Sequence, residues 1–443
     1  MMMISTRSLT TVLSSLRRVV AASLGLAASA SVLLGGACAD RTGGDVAEPR
    51  HDDGGRDVGP PEPVPDPMPI ADAGNDADKD AASSACPAGS VVRRSRTTCP
   101  GTPLTAPAPL TAALAAAAPG DVVSLAGMNE STAPCLPIVV CTPADAPTLL
   151  FSDSPELPAQ DGVLYADTVA PGRYRLYVYH ANGDTIARKF PIVVLNPGAQ
   201  AAKVTIVRRG LAAPSAAYVS VGKTVLADWF MDRAPVDVLV QAGERVLLDT
   251  ALDQLHATKN QLVHAIYDVI LDRSVKISFV SVPATDDAAS LTAGLPLLVR
   301  DSNHQRGTFA AADVLVVADP AGAQKKGVQR LRLGLDQVDD TLEGVDAPTG
   351  DKQRLGGNYG MLYRFALALP TPAAAAIAPR GGGWGGVARA GATNAVLLPT
   401  ATQSLATTTD AIVLGGVGGG GPEVRLLTGG GSSLPVDLFI VTP

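Results

Sequence analysis

Aromatic residues make up only 4% of this 443-residue chain. A sugar-binding surface wants rings on which a pyranose can stack, so few positions can supply one. Tyr177 and Tyr179 on one strand face, and Trp384 in the glycine loop GGGWGG, are the candidate ligand contacts. Histidine is also scarce, at five residues. There is no His-x-His and no His-Glu-x-x-His, which excludes the common zinc-hydrolase helix. No Gly-x-Ser-x-Gly turn offers a nucleophile elbow. An excess of positive charge is missing too: the formal net charge is −7. That balance excludes a nucleic-acid footprint.

The N-terminus, by contrast, is informative. Arg7, Arg17 and Arg18 precede an apolar run of 16 residues, Val19 to Leu34. A membrane span needs about 20, whereas a signal-peptide core is shorter. In SVLLGGACAD, Ala37-Cys38-Ala39 has the form of an ordinary cleavage site. Leu33 to Cys38 also resembles a lipobox, with its leucine one place early. Residues 39–85 hold twelve Asp or Glu against four Lys or Arg, with no aromatic residue. Such a stretch cannot bury a core and stays extended. Asp76-x-Asp78-x-Asp80 within it lacks the glycine and the closing Glu of a calcium loop. A polar tether directly after a cysteine favours a lipoprotein. Residues 1–38 are therefore read as a lipoprotein-type signal, with Cys38 as the lipidation site and the lipid bilayer as its partner. The expected location is the cell envelope or outer surface, with simple secretion as the alternative.

Four further cysteines, Cys86, Cys99, Cys135 and Cys141, fit two disulfides in an exported chain. Pairing cannot be deduced from sequence, and 86–99 with 135–141 is the simplest arrangement. No C-x₂-C spacing supports zinc.

Residues 86–145 read as a small disulfide-containing segment. Within it, LTAALAAAAPGDVVSLAG is helix-prone up to Pro119-Gly120-Asp121 and then turns to a short strand. The run resembles the opening coil of right-handed parallel β-helix proteins such as pectate lyase-like enzymes, although no coil-length repeat follows. From about Thr148 the pattern is β. RYRLYVYH, Arg173 to His180, alternates, with Tyr174, Leu176 and Val178 on one face and Arg175, Tyr177 and Tyr179 on the other. One helix interrupts, where Val221, Val225, Leu226, Trp229 and Phe230 share an apolar face. The glycine clusters after residue 380 read as hairpin turns and bulges. The expected fold is mainly β: two antiparallel β-sandwich-like domains with one short helix, spanning residues 146–290 and 291–443, behind the disordered tether.

Three constellations invite chemistry. His264 and Asp268 share a strand face and form a candidate base–orienter pair. Val221-Gly222-Lys223-Thr224 ends like a phosphate loop, but Ala217 stands where its first glycine should be. Asp336, Asp339, Asp340 and Glu343, with Asp346 and Asp351 following, form the best metal candidate, and extracellular calcium is the ion that loop carboxylates suit. No other cofactor is implied.

Several short motifs occur in a definite order. They are Gly162–Asp167, Tyr174–Asn182, Pro214-Ser215-x-x-Tyr218-x-x-Val221-Gly222-Lys223, Gln261-Leu262-Val263-His264, Arg306-Gly307-Thr308-Phe309, Gly344-x-Asp346, Gly357-Asn358-Tyr359-Gly360 and Pro379-Arg380-Gly381-Gly382. In this order they resemble a poorly characterised family of secreted, β-rich proteins often labelled copper amine oxidase-like. The resemblance covers residues 146–443. The label does not imply the activity. Asn358-Tyr359 is followed by Gly360 where an acid is required, and the paired histidines for copper are missing.

These features point to a non-catalytic cell-envelope or secreted protein, a surface-tethered module that binds an envelope polymer, a surface protein or a small ligand, or that serves a structural role. The alternative is an extracellular enzyme acting on polysaccharide, which paired carboxylates across a cleft would favour.

Overall fold

The alternation in RYRLYVYH becomes a ten-residue strand, Gly172–Ala181. Tyr174, Leu176 and Val178 pack into one core, and Tyr177 and Tyr179 into another. Successive side chains of a strand point to opposite faces, so apolar residues on both faces require cover on both. The computed structural model in which this is seen describes residues 86–94, 104–128, 132–318, 326–334, 341–369, 371–418 and 420–443. The signal and tether, Cys38, Cys99, Asp336, Asp339 and Asp340 lie outside them.

Gly172–Ala181 sits inside an eight-stranded sheet. Its order is Val236–Val240, Ala202–Leu211, Leu262–Leu271, Gly172–Ala181, Thr148–Ser152, Arg306–Phe309, Leu342–Asp346 and Asp351–Leu355. Neighbours are antiparallel except Thr148–Ser152, which runs parallel to Gly172–Ala181. One face packs on a smaller sheet of Gly162–Val169, Val275–Pro283, Ile192–Leu195 and Arg245–Leu247. Leu150, Leu176, Val178, Tyr267, Ile277 and Phe279 fill the space between them. This is a sandwich, as the patterning predicts.

The other face meets a helix and a second pair of sheets. One of these sheets has seven strands: Val91–Arg94, Ile138–Thr142, Asp313–Ala318, Leu362–Ala366, Val424–Thr428, Gly386–Ala390 and Val396–Leu398. The other has five: Gly327–Leu333, Val436–Thr442, Ala373–Pro379, Asp410–Val417 and Val122–Ser124. Residues from both, from the helix and from the eight-stranded sheet share one continuous core.

The described residues hold four α-helices: α1 Ala108–Ala116, α2 Tyr218–Trp229, α3 Thr250–Asp253 and α4 Ala288–Leu291. The predicted apolar stripe of α2 is its buried face, through Val221, Val225, Leu226 and Trp229. Burying each such side chain contributes roughly 1.5–3 kcal/mol. Gly210 allows the close approach, because a Cβ there would lie 2.0 Å from the Val225 carbonyl oxygen. The alanine-rich run forms α1, and Leu110 and Leu114 cover the outer face of the five-stranded sheet. Val122–Ser124 then joins that sheet antiparallel, not as the first coil of a parallel stack.

Strand pairing ignores the expected divisions at 145/146 and 290/291. Strands from 86–145 complete the second pair of sheets, and three strands beyond 291 complete the eight-stranded sheet. The simplest disulfide pairing is also not adopted. Val92 lies opposite Cys141 in an antiparallel pair, which brings Cys86 to Cys141 with a Cα–Cα distance of 5.9 Å and a bond between them. Cys135 is likewise disulfide-bonded.

Candidate functional site

The C-terminal ends of Thr148–Ser152 and Gly172–Ala181 open onto a cleft of ≈ 180 Å³. Asp153, Glu156 and His304 line it together with Tyr177, Tyr179 and Tyr359, and the loop Gly430–Ser432 closes one side. Asp153 is the residue that follows the strand, and its backbone N–H bonds to the Gln305 carbonyl at 3.1 Å. Its Oδ1 is buried and has no hydrogen-bond partner among the described residues. Burial pushes this carboxyl well above the usual range, and the charges of Glu156 and Asp301 push the same way.

Asp301 organises the rim. Its Oδ1 accepts from the backbone N–H of Asn303 at 2.9 Å and of His304 at 2.8 Å, an Asx-type turn. Its Oδ2 accepts from the Glu156 N–H at 2.9 Å. Burial works to raise this carboxyl, but the three backbone donors outweigh it and hold it below the usual range. The His304 ring spans the gap, with Nδ1 2.9 Å from Asp301 and Nε2 3.0 Å from Glu156. Two carboxyls, Asp153 and Glu156, thus share one cleft in different environments.

The tyrosines form the wall and floor. Phe151 stacks on Tyr177 at 4.7 Å, and Tyr177 lies 6.5 Å from Tyr179. They are 2% and 6% exposed, so the expected open platform is instead a nearly closed one. The Gly430 backbone covers it, since a Cβ there would come within 2.5 Å of the Tyr179 ring. Burial raises the phenol of Tyr359 to about 12, and its hydroxyl donates to the Ser432 carbonyl. Gly357, Asn358 and Gly360 all have positive φ, so GNYG is the turn that aims Tyr359 at the cleft.

The other candidates lie elsewhere. Trp384 is fully buried, with its ring against Gly386 and its indole N–H 3.4 Å from the Thr428 hydroxyl. It fills the core and offers no face to a ligand. His264 does not pair with Asp268. Its Nδ1 meets the Val178 carbonyl at 2.7 Å, its ring lies against Tyr177 and Tyr179, and burial lowers its pKa to about 4. Asp268 is bonded to Arg175 instead. Lys223 caps carbonyls, those of Pro399 and, at 2.8 Å, Thr402, as a core lysine rather than a phosphate ligand. Of the acidic stretch, Glu343 is exposed and 4.0 Å from Arg354. Asp346 is buried against Arg306 at 3.1 Å. Among the described residues no group of three or more His, Cys, Asp or Glu is placed to hold a metal ion.

Asp153, Glu156, Asp301 and His304 were not candidates from sequence, because no motif links acids in two loops that only the fold joins. Nor was the pair Ser152–His180. Its Oγ and Nε2 are 2.9 Å apart, and Nδ1 is 2.9 Å from the Pro155 carbonyl. Both residues are wholly buried, and burial lowers His180 to about 4. The pair is a neutral core contact behind the cleft.

No protein-family model and no curated protein matches this chain. Among solved structures it aligns with an oxalate decarboxylase–formate complex from Lactobacillus farciminis, at 10% identity over 67% of this chain and 86% of that one, TM-score 0.12. It also aligns with a mutant Bacillus subtilis oxalate decarboxylase, at 11% over 67% and 76%, TM-score 0.11. A third match is vicilin from Corylus avellana (hazelnut), at 9% over 65% and 84%, TM-score 0.11. Similarity at this level carries no argument about fold or chemistry.

Proposed function

We propose that this chain is an exported protein, anchored to the cell envelope through acylated Cys38, that binds a hydroxyl-rich ligand in the acid–tyrosine cleft without turning it over. A sugar unit of an envelope polymer is the ligand class that suits the cleft. The observation that carries this reading is the buried, unpartnered Oδ1 of Asp153. Buried polar atoms are nearly always satisfied, so one left open in a cleft calls for an explanation. A carboxyl kept protonated by its surroundings both donates to and accepts from a hydroxyl. Residues of the ordered motifs gather here: Tyr218 lies edge-on to Tyr179 at 6.4 Å, Gly222 packs on Gly430, and Tyr359 lines the cleft. That gathering supports a relationship to the secreted β-rich family those motifs resemble.

A second reading is a polysaccharide-cleaving enzyme. It is favoured by Asp153, a carboxyl with a raised pKa, sharing a cleft with Glu156, since a general acid and a second carboxylate are the usual pair for glycoside hydrolysis.

The test is binding of the full-length protein to envelope polysaccharides and soluble oligosaccharides, with reducing ends assayed in parallel. Asp153→Ala is expected to weaken binding at least tenfold, and Asp153→Asn, which mimics the neutral acid, to keep it. Unchanged affinity in Asp153→Ala removes the cleft from consideration. New reducing ends made by the native protein and not by Asp153→Asn establish the enzyme instead. Metabolic lipid label that persists in Cys38→Ser refutes the anchor.

A further inference from the structure

The strand face that carries Tyr177 and Tyr179 also carries Arg173 and Arg175. These two arginines line a second cleft, of ≈ 190 Å³, at the other end of the strand. The buried Arg175 has its partners in full. Its Nε and Nη2 meet Asp268 at 2.8 and 3.1 Å. Its Nη1 meets Asp313 at 2.8 Å and the carbonyls of Gly360 and Ala312 at 3.0 and 3.2 Å.

Asp268 lies between two arginines. It is opposite Arg175 on one neighbouring strand and opposite Arg208 on the other. Both of its oxygens are turned to Arg175. Arg208, half-buried in the same cleft, has no hydrogen bond or ion pair to any described residue. Its guanidinium lies 4.8 Å from the centroid of the Trp229 ring, which Arg175 also flanks at 5.0 Å. Burial lowers the pKa of Arg208; the charges of Asp268 and, more weakly, Asp232 work against this, while those of Arg425 and Arg175 add to it. Arg364 and Arg425 are both bonded to Glu423. Arg173 is exposed and has no ion pair to a described residue.

We infer that Arg208, together with Arg173, binds the oxyanion of a small ligand, a carboxylate, sulfate or phosphate group, in this cleft. Asp268 and Asp232 act on Arg208 from nearby without bonding to it, and a guanidinium partly withdrawn from water without a bonded counter-charge is disfavoured, a penalty that an anion relieves. The indole face beside it restrains the guanidinium, whose donors lie in one plane in a fork that matches an oxyanion. The volume suits one small group rather than a chain. This cleft shares a strand with the acid–tyrosine cleft but none of its lining residues.

The experiment is a titration of the full-length protein with phosphate, sulfate and galacturonate at low ionic strength. Galactose serves as the neutral control. Calorimetry and intrinsic fluorescence are read together, because Trp229 is one of only two tryptophans. At least one oxyanion is expected to saturate a single site and alter the fluorescence, while galactose does neither here. Arg208→Gln should weaken that binding tenfold or more and abolish the fluorescence change. Arg173→Gln should weaken it severalfold, and Arg354→Gln, an exposed arginine elsewhere, should not. Failure of all three anions to saturate overturns the site, as does unchanged affinity in Arg208→Gln. If that variant does not fold, Arg208→Lys replaces it. It keeps the charge but loses the planar fork, and native affinity there overturns the site equally.

Discussion

Two clefts share one face of the strand Gly172–Ala181, and they differ in what their polar groups have left to bond. At the N-terminal end Arg173 and Arg175 face a nest of charges; at the C-terminal end Tyr177 and Tyr179 face Asp153, Glu156 and His304. Within the basic cleft, Arg175 and Arg208 share the same neighbour, Asp268, and flank the same indole. One is saturated and the other is not. At the rim of the acidic cleft Asp301 collects three backbone donors, while inside it the buried Oδ1 of Asp153 has no partner among the described residues. Burial and charge therefore do not separate structural groups from available ones. The count of satisfied bonds does.

The sharpest way to break this comparison is to remove each arginine in turn. Arg175→Met leaves Asp268 and Asp313 without their cation in a buried setting, and removing one partner of such a cluster costs about 3–5 kcal/mol. Arg208→Met removes no ion pair and keeps an apolar contact with Trp229, so its effect should stay within about 0.5 kcal/mol. Urea unfolding of both variants measures the difference. Equal losses would mean that Arg208 is held by partners the geometry does not show.

Acid sharpens the contrast from the tyrosine end. His180 lies behind that cleft and His264 beneath its tyrosines, and burial lowers both to about 4, against an ordinary value of 6.5. The unfolded chain therefore takes up protons first. Stability from this source is complete above pH 6.5 and is lost as the pH falls toward 4, by about 3 kcal/mol for each histidine. His264→Phe should flatten the pH dependence of unfolding by one proton over that window. Unaltered slopes would show that the ring is not buried neutral.

How much of this was legible depended on range along the chain. The alternation of Arg173 to His180 and the stripe of α2 are local patterns, and each forms as its spacing predicts. Tyr177 and Tyr179 were legible as members of one face, and they do line a cleft. Their near-complete burial was not, because it depends on Gly430 arriving from a loop some 250 residues away. Trp384 looked exposed among glycines, yet small neighbours are what let its ring enter the core. The site acids sit in two loops joined by backbone hydrogen bonds, and nothing periodic marks them. The disulfide partner of Cys86 follows from which strands pair, a long-range choice that cysteine spacing does not encode.

The smallest effect tests Asp153 itself. Its folded pKa is raised, so the folded state holds this proton after the unfolded chain has released it at about 3.8. The stability linked to this proton is complete below that pH and declines as the pH rises through the folded pKa. Asparagine has nearly the same shape, carries no charge and does not titrate. Asp153→Asn should thus match the native protein near pH 3.8 in the titration of this site. It should then grow relatively more stable with rising pH, by on the order of 1 kcal/mol, the scale of a buried polar group left unsatisfied. Unfolding of the two proteins across the pH range measures the divergence. Curves that stay parallel would mean that Asp153 is charged and partnered like Asp301, and the distinction between the acid inside this cleft and the acid at its rim would disappear.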